Sequence, residues 1–414
     1  MKNRIIFFCY PGIGILEQWL PIITQLKKKK IKIDILFFNF DHLCQFEKDN
    51  FTHVEALKIF DNFFYDTGDK IVQLKSFRIN SLNNNYLSKL LFKFKSIFTS
   101  GLKFKIFIMN YNKILYDTYF DLVDRFNYSS LINDKIKFSI HHGVALFNRK
   151  NKNEKFFWRV NDTIYYPKNR KDIKNLTVFN YTADEINFWK FIYINKKIKN
   201  FKIPIFKNDD LWVKKILKNS KISKPKFDKK YFFLLSRPAN DKYLSLDQKK
   251  NLFIDLVEIC KDFKMKLVIK FHPKENKKYW SNFYLHILKK FNVDHEFSEI
   301  HSFAVAKHSE ITFSFFSELV VSLAYLKVPV IEYLPLQNKK ESNSFLLDKN
   351  NNNVFAYRYS NLTHGASDKQ SLKMQIHKII NNRKLAIKTT YDKYNSLFST
   401  DFLKISKVIE LIKK

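Results

Sequence analysis

KLVIKFHPKE at Lys266–Glu275 and EITFSFFSELVVSLAYLKVPVIEYLP at Glu310–Pro335 decide how this chain folds. Short apolar runs (KLVIKF, ITFSF, VPVIEYL) alternate there with stretches of helical spacing, the pattern of parallel strands joined by crossover helices. In an open sheet of that kind the carboxyl ends of the strands line the ligand crevice, so the residues just past each run are those a substrate meets. Here they are Lys270 and His272 after one run, and Ser314 and Ser317 after the next, all suited to holding a phosphate.

Read outward from this stretch, the alternation continues. YFFLLS from Tyr231 predicts a strand, LDQKKNLFIDLVEICKDF from Leu246 an amphipathic helix, and Ser317 to Leu326 a second helix before VPVIEYL. At the amino end, Arg4 to Tyr10 predicts a buried strand, PGIG a turn, Leu16 to Lys27 a helix, and IKIDILFF a second strand. Between about Ile71 and Phe126 the spacing becomes helical, in LSKLLFKFKSIF and KILYDTYFDLVDRF, and KIKFSIHHG then returns to a short strand. Asn200 to Lys230 has the Lys, Asn, Ser and Pro content of a connector. The expected division is a Rossmann-like domain over 1–205 with a helical insertion around 71–130, and a linker over 206–230. A second Rossmann-like domain over 231–385 and a helical tail over 386–414 follow.

Composition narrows the class. A chain of 414 residues suits two cores better than one, and 17% aromatic content with only 6 Gly and 9 Pro excludes collagenous, linker-like and disordered proteins. The formal charge of +35 favours anionic partners, although abundant Lys, Asn, Ile and Phe together are also what an AT-rich genome produces. Nucleic-acid binding has no recognisable motif to support it. Cys9, Cys44 and Cys260 form neither a CxxC pair nor a disulfide framework, which predicts a reducing, cytoplasmic setting. The basic, apolar start lacks a small-residue cleavage site and reads as a strand, and no apolar run approaches the roughly 20 residues that span a bilayer. Membrane contact would therefore be peripheral. The basic aromatic stretch Lys89 to Met109 is the candidate for it, at the inner face of an anionic cytoplasmic membrane, with an ordinary core-packed helix as the other reading.

Five groups of residues carry potential chemistry. Gly12 and Gly14 form a glycine turn between the first strand and helix, where a ligand or another backbone can approach, but neither the third glycine of a dinucleotide fingerprint nor a P-loop is present. His141 and His142 end a strand before Gly143, where an imidazole titrating near neutrality can act as a general base. Two loop histidines satisfied by backbone groups are the alternative. No third ligand at metal-like spacing accompanies them, so no metal is expected. Pro273 stops the strand and holds His272 in extended geometry, with Lys270 two residues earlier on the same face. Ser317 is a natural N-cap, so its hydroxyl serves either the helix alone or an anion at the helix terminus. Ser236 and Arg237, in YFFLLSRPAN, occupy the matching place after the first strand of the second half, where the arginine can pair with a diphosphate oxygen. Three strand ends thus carry phosphate-competent groups.

The order HHG, SRP, KFHP, FSFFSE and VPVIEY resembles GT-B glycosyltransferases of bacterial surface polysaccharide synthesis. The nearest groups are the CDP-glycerol glycerophosphotransferases and the capsule sialyl- and Kdo-transferases with HP and serine motifs. The resemblance implies an α/β GT-B fold, two Rossmann-like domains with parallel sheets facing an interdomain cleft and the donor nucleotide in the second domain. It implies donor-phosphate contacts from His272, Ser314 and Ser317, and a place near the acceptor for His142. The chain departs from the glycerophosphotransferase pattern at His141, at Val144 and Ala145, and at Thr312 and Phe313, the positions that bear on donor identity. The function implied is inverting, metal-independent transfer from a CMP- or CDP-linked sugar, with UDP as the other nucleotide, to a hydroxyl of a capsule, lipopolysaccharide or lipid-linked glycan. Glu332 is the candidate for the donor ribose, and no cofactor is expected beyond the nucleotide sugar. The alternatives are a nucleotide-sugar 2-epimerase of the same architecture and a non-catalytic basic protein that binds nucleic acid or membrane.

Overall fold

Strands apolar on both faces persist only where helices cover both sides of a sheet. In the computed structural model of this chain that arrangement occurs twice. The structure describes residues 4–10, 14–38, 43, 46, 50–66, 71–74, 103–118, 120, 131–141, 147–152, 155–160, 163–165, 171–195, 197–219, 230–239, 244–335, 346–347, 353–398 and 402–414. The chain divides into two units. One comprises Met1–Gly143, Pro167–Asp209 and Asp401–Lys414, the other Val144–Tyr166 and Asp210–Thr400.

The first unit contains β1 (Arg4–Cys9), β2 (Lys32–Phe37), β3 (Phe63–Asp66), β4 (Ile71–Gln73), β5 (Lys113–Asp117) and β6 (Ile136–Ile140). A separate antiparallel sheet of β7 (Phe147–Lys152), β8 (Lys155–Val160) and β9 (Thr163–Tyr165) follows in the chain, and β10 (Leu176–Asn180) and β11 (Lys199–Lys202) then complete the first sheet. Its order is β11-β10-β6-β5-β1-β2-β3-β4, parallel throughout except for the edge strand β4. Gly14 opens the helix Gly14–Lys28, which buries Trp19 and its apolar neighbours. The other residue of the glycine turn, Gly12, lies outside the described residues.

At the amino ends of these strands the wholly buried Asp34 accepts hydrogen bonds from Arg4 Nε (2.7 Å), Tyr111 Oη (2.8 Å) and Asn62 Nδ2 (2.8 Å). Its charge is thereby paired and its lone pairs occupied, the condition under which a buried carboxylate is tolerated. The helix Ile405–Lys413 returns to this unit with Val408 and Ile412 fully buried. Lys113 Nζ donates to the carbonyls of Ile412 (2.7 Å) and Lys413 (2.9 Å), placing a cation at the negative end of that helix.

KILYD proves to be β5, a fully buried central strand, and not part of a helical segment. Its own spacing fits a helix, but pairing with both β1 and β6 buries every residue of the run, and a two-sided strand needs no alternation. The connector stretch likewise contains β11 and the helix Asp210–Asn219.

In the second unit β12 (Tyr231–Leu235), β13 (Lys266–Lys270), β14 (His295–Phe297), β15 (Ile311–Ser314) and β16 (Val330–Tyr333) precede a small hairpin of β17 (Leu346–Leu347) and β18 (Asn353–Val354), then β19 (His364–Ala366). The six-stranded sheet runs β14-β13-β12-β15-β16-β19 and is parallel throughout. Counted from β12, this is the 3-2-1-4-5-6 order of a dinucleotide-binding sheet. Ser245 and Gln248 form a capping box that starts the helix Leu246–Asp262, whose apolar face packs on β12 and β13 through Phe253, Leu256 and Cys260. Among the described residues no helix is long and apolar enough to cross a membrane.

Candidate active site

The strand order reverses between β12 and β15, so the chain segments leaving their carboxyl ends diverge there and leave room for a ligand. Arg237, two residues past β12, spans the gap. Its Nη1 donates to the Phe316 carbonyl, and its guanidinium carbon lies 5.3 Å from the centroid of the Phe316 ring. Phe316 has φ 102°, a region that side chains rarely occupy and that persists only where surrounding contacts impose it. The wholly buried Ser314 accepts from Phe316 N at 3.3 Å, and Ser317 Oγ accepts from Leu319 N at 3.3 Å. The helix begins only at Leu319, with Glu318 as the cap in helical geometry, so Ser317 stands one residue before the position read from the sequence.

His272 follows β13 by two residues. Its Nδ1 accepts from Lys274 N at 3.1 Å, which places the remaining ring proton on Nε2. Burial, reinforced by the nearby charges of Arg237, Lys274 and Lys249, pushes the imidazole down to about 3. It is a neutral hydrogen-bond donor over the physiological range. Pro273 begins the turn that Glu275 N closes onto the His272 carbonyl at 2.9 Å. Lys270 directs its ammonium to the carbonyls of Ile300 (2.7 Å) and Glu299 (3.4 Å), beside the same strand ends.

Behind these loops lies a buried polar cluster. Glu275 Oε2 accepts from His272 N at 2.6 Å. Glu275 Oε1 accepts from Ser236 Oγ at 2.8 Å and from Lys249 Nζ, and the Lys249 and Glu275 side chains are both 0% exposed. Tyr284 Oη lies 3.0 Å from Ser236 Oγ, and Lys249 Nζ sits 3.4 Å from the centroid of the Trp280 ring. Burial pushes Lys249 down to about 8, with Glu275 opposing the shift. Sequence reading passed over this cluster, although Lys249 falls three, four and seven residues before Leu252, Phe253 and Leu256, on the apolar face of its helix.

Glu332, on β16, is fully buried, and neither carboxylate oxygen has a hydrogen-bond partner among the described residues. Arg358 Nε stands 3.7 Å away, while Arg358 Nη2 donates to the carbonyls of Glu332 (2.9 Å), Leu334 (3.2 Å) and Ala366 (3.2 Å). Burial pushes Glu332 up to about 7 against the opposing pull of Arg358 and Arg237.

In the first unit, the carboxyl ends of β5 and β6 carry Asp117 and His141, both buried. His142 lies outside the described residues. On the helix Ala183–Ile192, fully buried Glu185 accepts from Tyr181 N and is pushed up to about 8, chiefly by burial. Asp117 is a carboxylate at a strand end that sequence reading did not single out, because nothing in KILYD marked it as a strand.

Solved structures share this architecture. A glycosyltransferase from Rickettsia africae superposes with a TM-score of 0.50 at 11% identity, covering 100% of this chain and 98% of that one. The fold is GT-B. A UDP-GlcNAc 2-epimerase from Neisseria meningitidis bound to UDP-GlcNAc gives 0.56 at 14% identity, over 100% of this chain and 99% of the other. Its counterpart from Methanocaldococcus jannaschii, in complex with UDP-GlcNAc and UDP, gives 0.53 at 15%, over 100% and 99%. No protein-family model matches the sequence, and no curated protein does.

Proposed function

We propose that the chain is a nucleotide-sugar enzyme, an inverting glycosyltransferase that needs no metal and acts on a hydroxyl of a surface glycan. The observation that carries the reading is that Arg237 spans the switch point of a 3-2-1-4-5-6 sheet while neutral His272 follows the neighbouring strand within reach of its charge. In this reading the second unit, taken over 231–385, binds the donor. Arg237 and His272 Nε2–H meet its phosphate, helped by the Ser314 and Ser317 hydroxyls and by the charge of Lys270. They stabilise negative charge as the bond from the anomeric carbon to the phosphate oxygen breaks. A base from the first unit, taken over 1–205, removes the proton of the attacking hydroxyl. His142 or His141 is assigned that role, with Asp117 as the carboxylate alternative.

The motif resemblance supports a cytidine nucleotide, and the uridine nucleotides bound to structurally similar enzymes support UDP. Thermal unfolding with CMP, CDP, UDP and GDP tests both, because a ligand that binds only the native state raises the midpoint. No shift with any of the four refutes the reading. A nucleotide-sugar 2-epimerase is the second reading, supported by the activity of two of those similar structures. Incubation with a donor and no acceptor separates the two, since conversion of the donor to an isomer would displace the transferase.

A further inference from the structure

One carboxylate holds both phosphate-facing loops. Glu275 Oε2 accepts from the backbone N–H of His272, and Glu275 Oε1 accepts from the hydroxyl of Ser236, the residue before Arg237. The two loops are otherwise joined at this level by Ser236 N donating to the Lys270 carbonyl at 3.0 Å. Removing Glu275 would take the acceptor from the His272 amide and leave the Ser236 hydroxyl to Tyr284 Oη, undoing the link that fixes the spacing between the imidazole and the guanidinium.

The cluster is a costly way to obtain stability alone. A wholly buried ion pair is seldom better than packed apolar side chains of the same volume, because desolvation offsets the attraction. Trp280, Tyr284 and Phe253 already surround it and could close over an apolar pair. What an apolar pair could not supply is an acceptor with two oxygens, one for each loop. Lys249 Nζ donates to Glu275 Oε1 and is itself held over the Trp280 face, so the carboxylate is fixed in place from the side away from the two loops.

We infer that Glu275, backed by Lys249, is a positioning residue that sets the distance between Arg237 and His272 for a phosphate group. The inference rests on the donor reading above. Neither residue touches the ligand, so their loss acts on the phosphate contacts and spares contacts to the nucleoside.

The test uses the full chain as wild type, His272→Ala, the double variant Lys249→Met/Glu275→Gln, and Glu275→Asp, whose shorter arm cannot serve both loops at once. Titration calorimetry measures CMP, CDP, UDP and GDP together with cytidine, uridine and guanosine. The expected result is that the nucleotide bound most tightly by wild type binds the double variant and Glu275→Asp at least tenfold more weakly, while its parent nucleoside binds all folded variants alike. The double variant should unfold near the wild-type temperature, because it leaves no buried charge unpaired; if it does not fold, Glu275→Asp decides. Wild-type nucleotide affinity in a folded variant, or equal losses for nucleotide and nucleoside, overturns the positioning role. If His272→Ala has meanwhile lost affinity, the donor reading stands without it. A wild-type protein that binds none of the four nucleotides overturns both.

Discussion

Replacing Gly365 by Ala should unlock Arg358 and expose the cost of burying Glu332. A Cβ at Gly365 would lie 2.3 Å from Arg358 Cδ, 2.4 Å from Nε and 2.8 Å from Cγ. Carbon atoms settle near 3.5–4 Å, so the arginine must retreat by roughly 1 Å or more. It has no slack, because Nη2 already binds three carbonyls at 2.9 to 3.2 Å and such a shift takes them beyond bonding range. Glu332 then keeps a fully buried carboxylate without its cation. Breaking a buried pair on one side costs about 3–5 kcal/mol, which in a unit of this size lowers the unfolding midpoint by roughly 6–20 °C.

The loss should depend on pH. Glu332 is raised in the folded protein to about 7, so it is protonated there below that value while the unfolded chain has already ionised above the ordinary carboxyl range. Stability from this group is therefore full below the unfolded pKa and is lost as pH rises through about 7. Gly365→Ala weakens the pull that opposes protonation, so it should be mild at pH 5.5 and severe at pH 8.5. Thermal and urea unfolding at the two values measure this. A variant within about 1 kcal/mol of wild type at pH 8.5, or one with no pH dependence, would refute the reasoning.

Three further outcomes follow from single groups. His272 is depressed in the folded state, so acid protonates the unfolded chain first; stability should fall as pH drops from about 6.5 toward about 3, and His272→Gln should flatten that limb in urea titrations. Asp34→Ala leaves Arg4 to solvent and removes the acceptor of Tyr111 and Asn62, and should destabilise the first unit by about 1–3 kcal/mol, read as a lower midpoint in denaturant. Lys113→Met deprives the helix Ile405–Lys413 of its terminal cation and should cost about 1–2 kcal/mol, seen as faster amide exchange over residues 405–413 with little change in the second unit.

Much of the second unit was legible because its strands are bounded by sharp polar or proline signals. KLVIKF stops at His272 and Pro273, and VPVIEYL begins after Lys327; β13 and β16 occupy the cores of those runs. KILYD carried no such boundary, and the aromatic residues that continue into TYF mimicked a helical stripe. β14 and β19, at the sheet edges, are three-residue strands too short for any periodicity to register. At the site, the residues at strand ends were readable as chemistry, but their supports were not. Glu275 acts through its two carboxylate oxygens and Arg358 through contacts to three carbonyls, and only the folded chain brings Ser236 to Glu275 or Glu332 to Arg358.

The return of the last helix to the first unit has a consequence for biosynthesis. A chain made from its amino end has all the strands of the first sheet by residue 202, yet the helix whose carbonyls receive Lys113 follows about 200 residues later, at 405–413. Every residue of the second unit emerges before it. During that interval Val408 and Ile412 are missing from the surface they finally cover, and the first unit waits open on the ribosome while its neighbour can already close. Closure of the older half is thereby deferred until the younger half has been made, and a nascent chain cut near residue 400 would leave it, and not the younger half, in need of a chaperone.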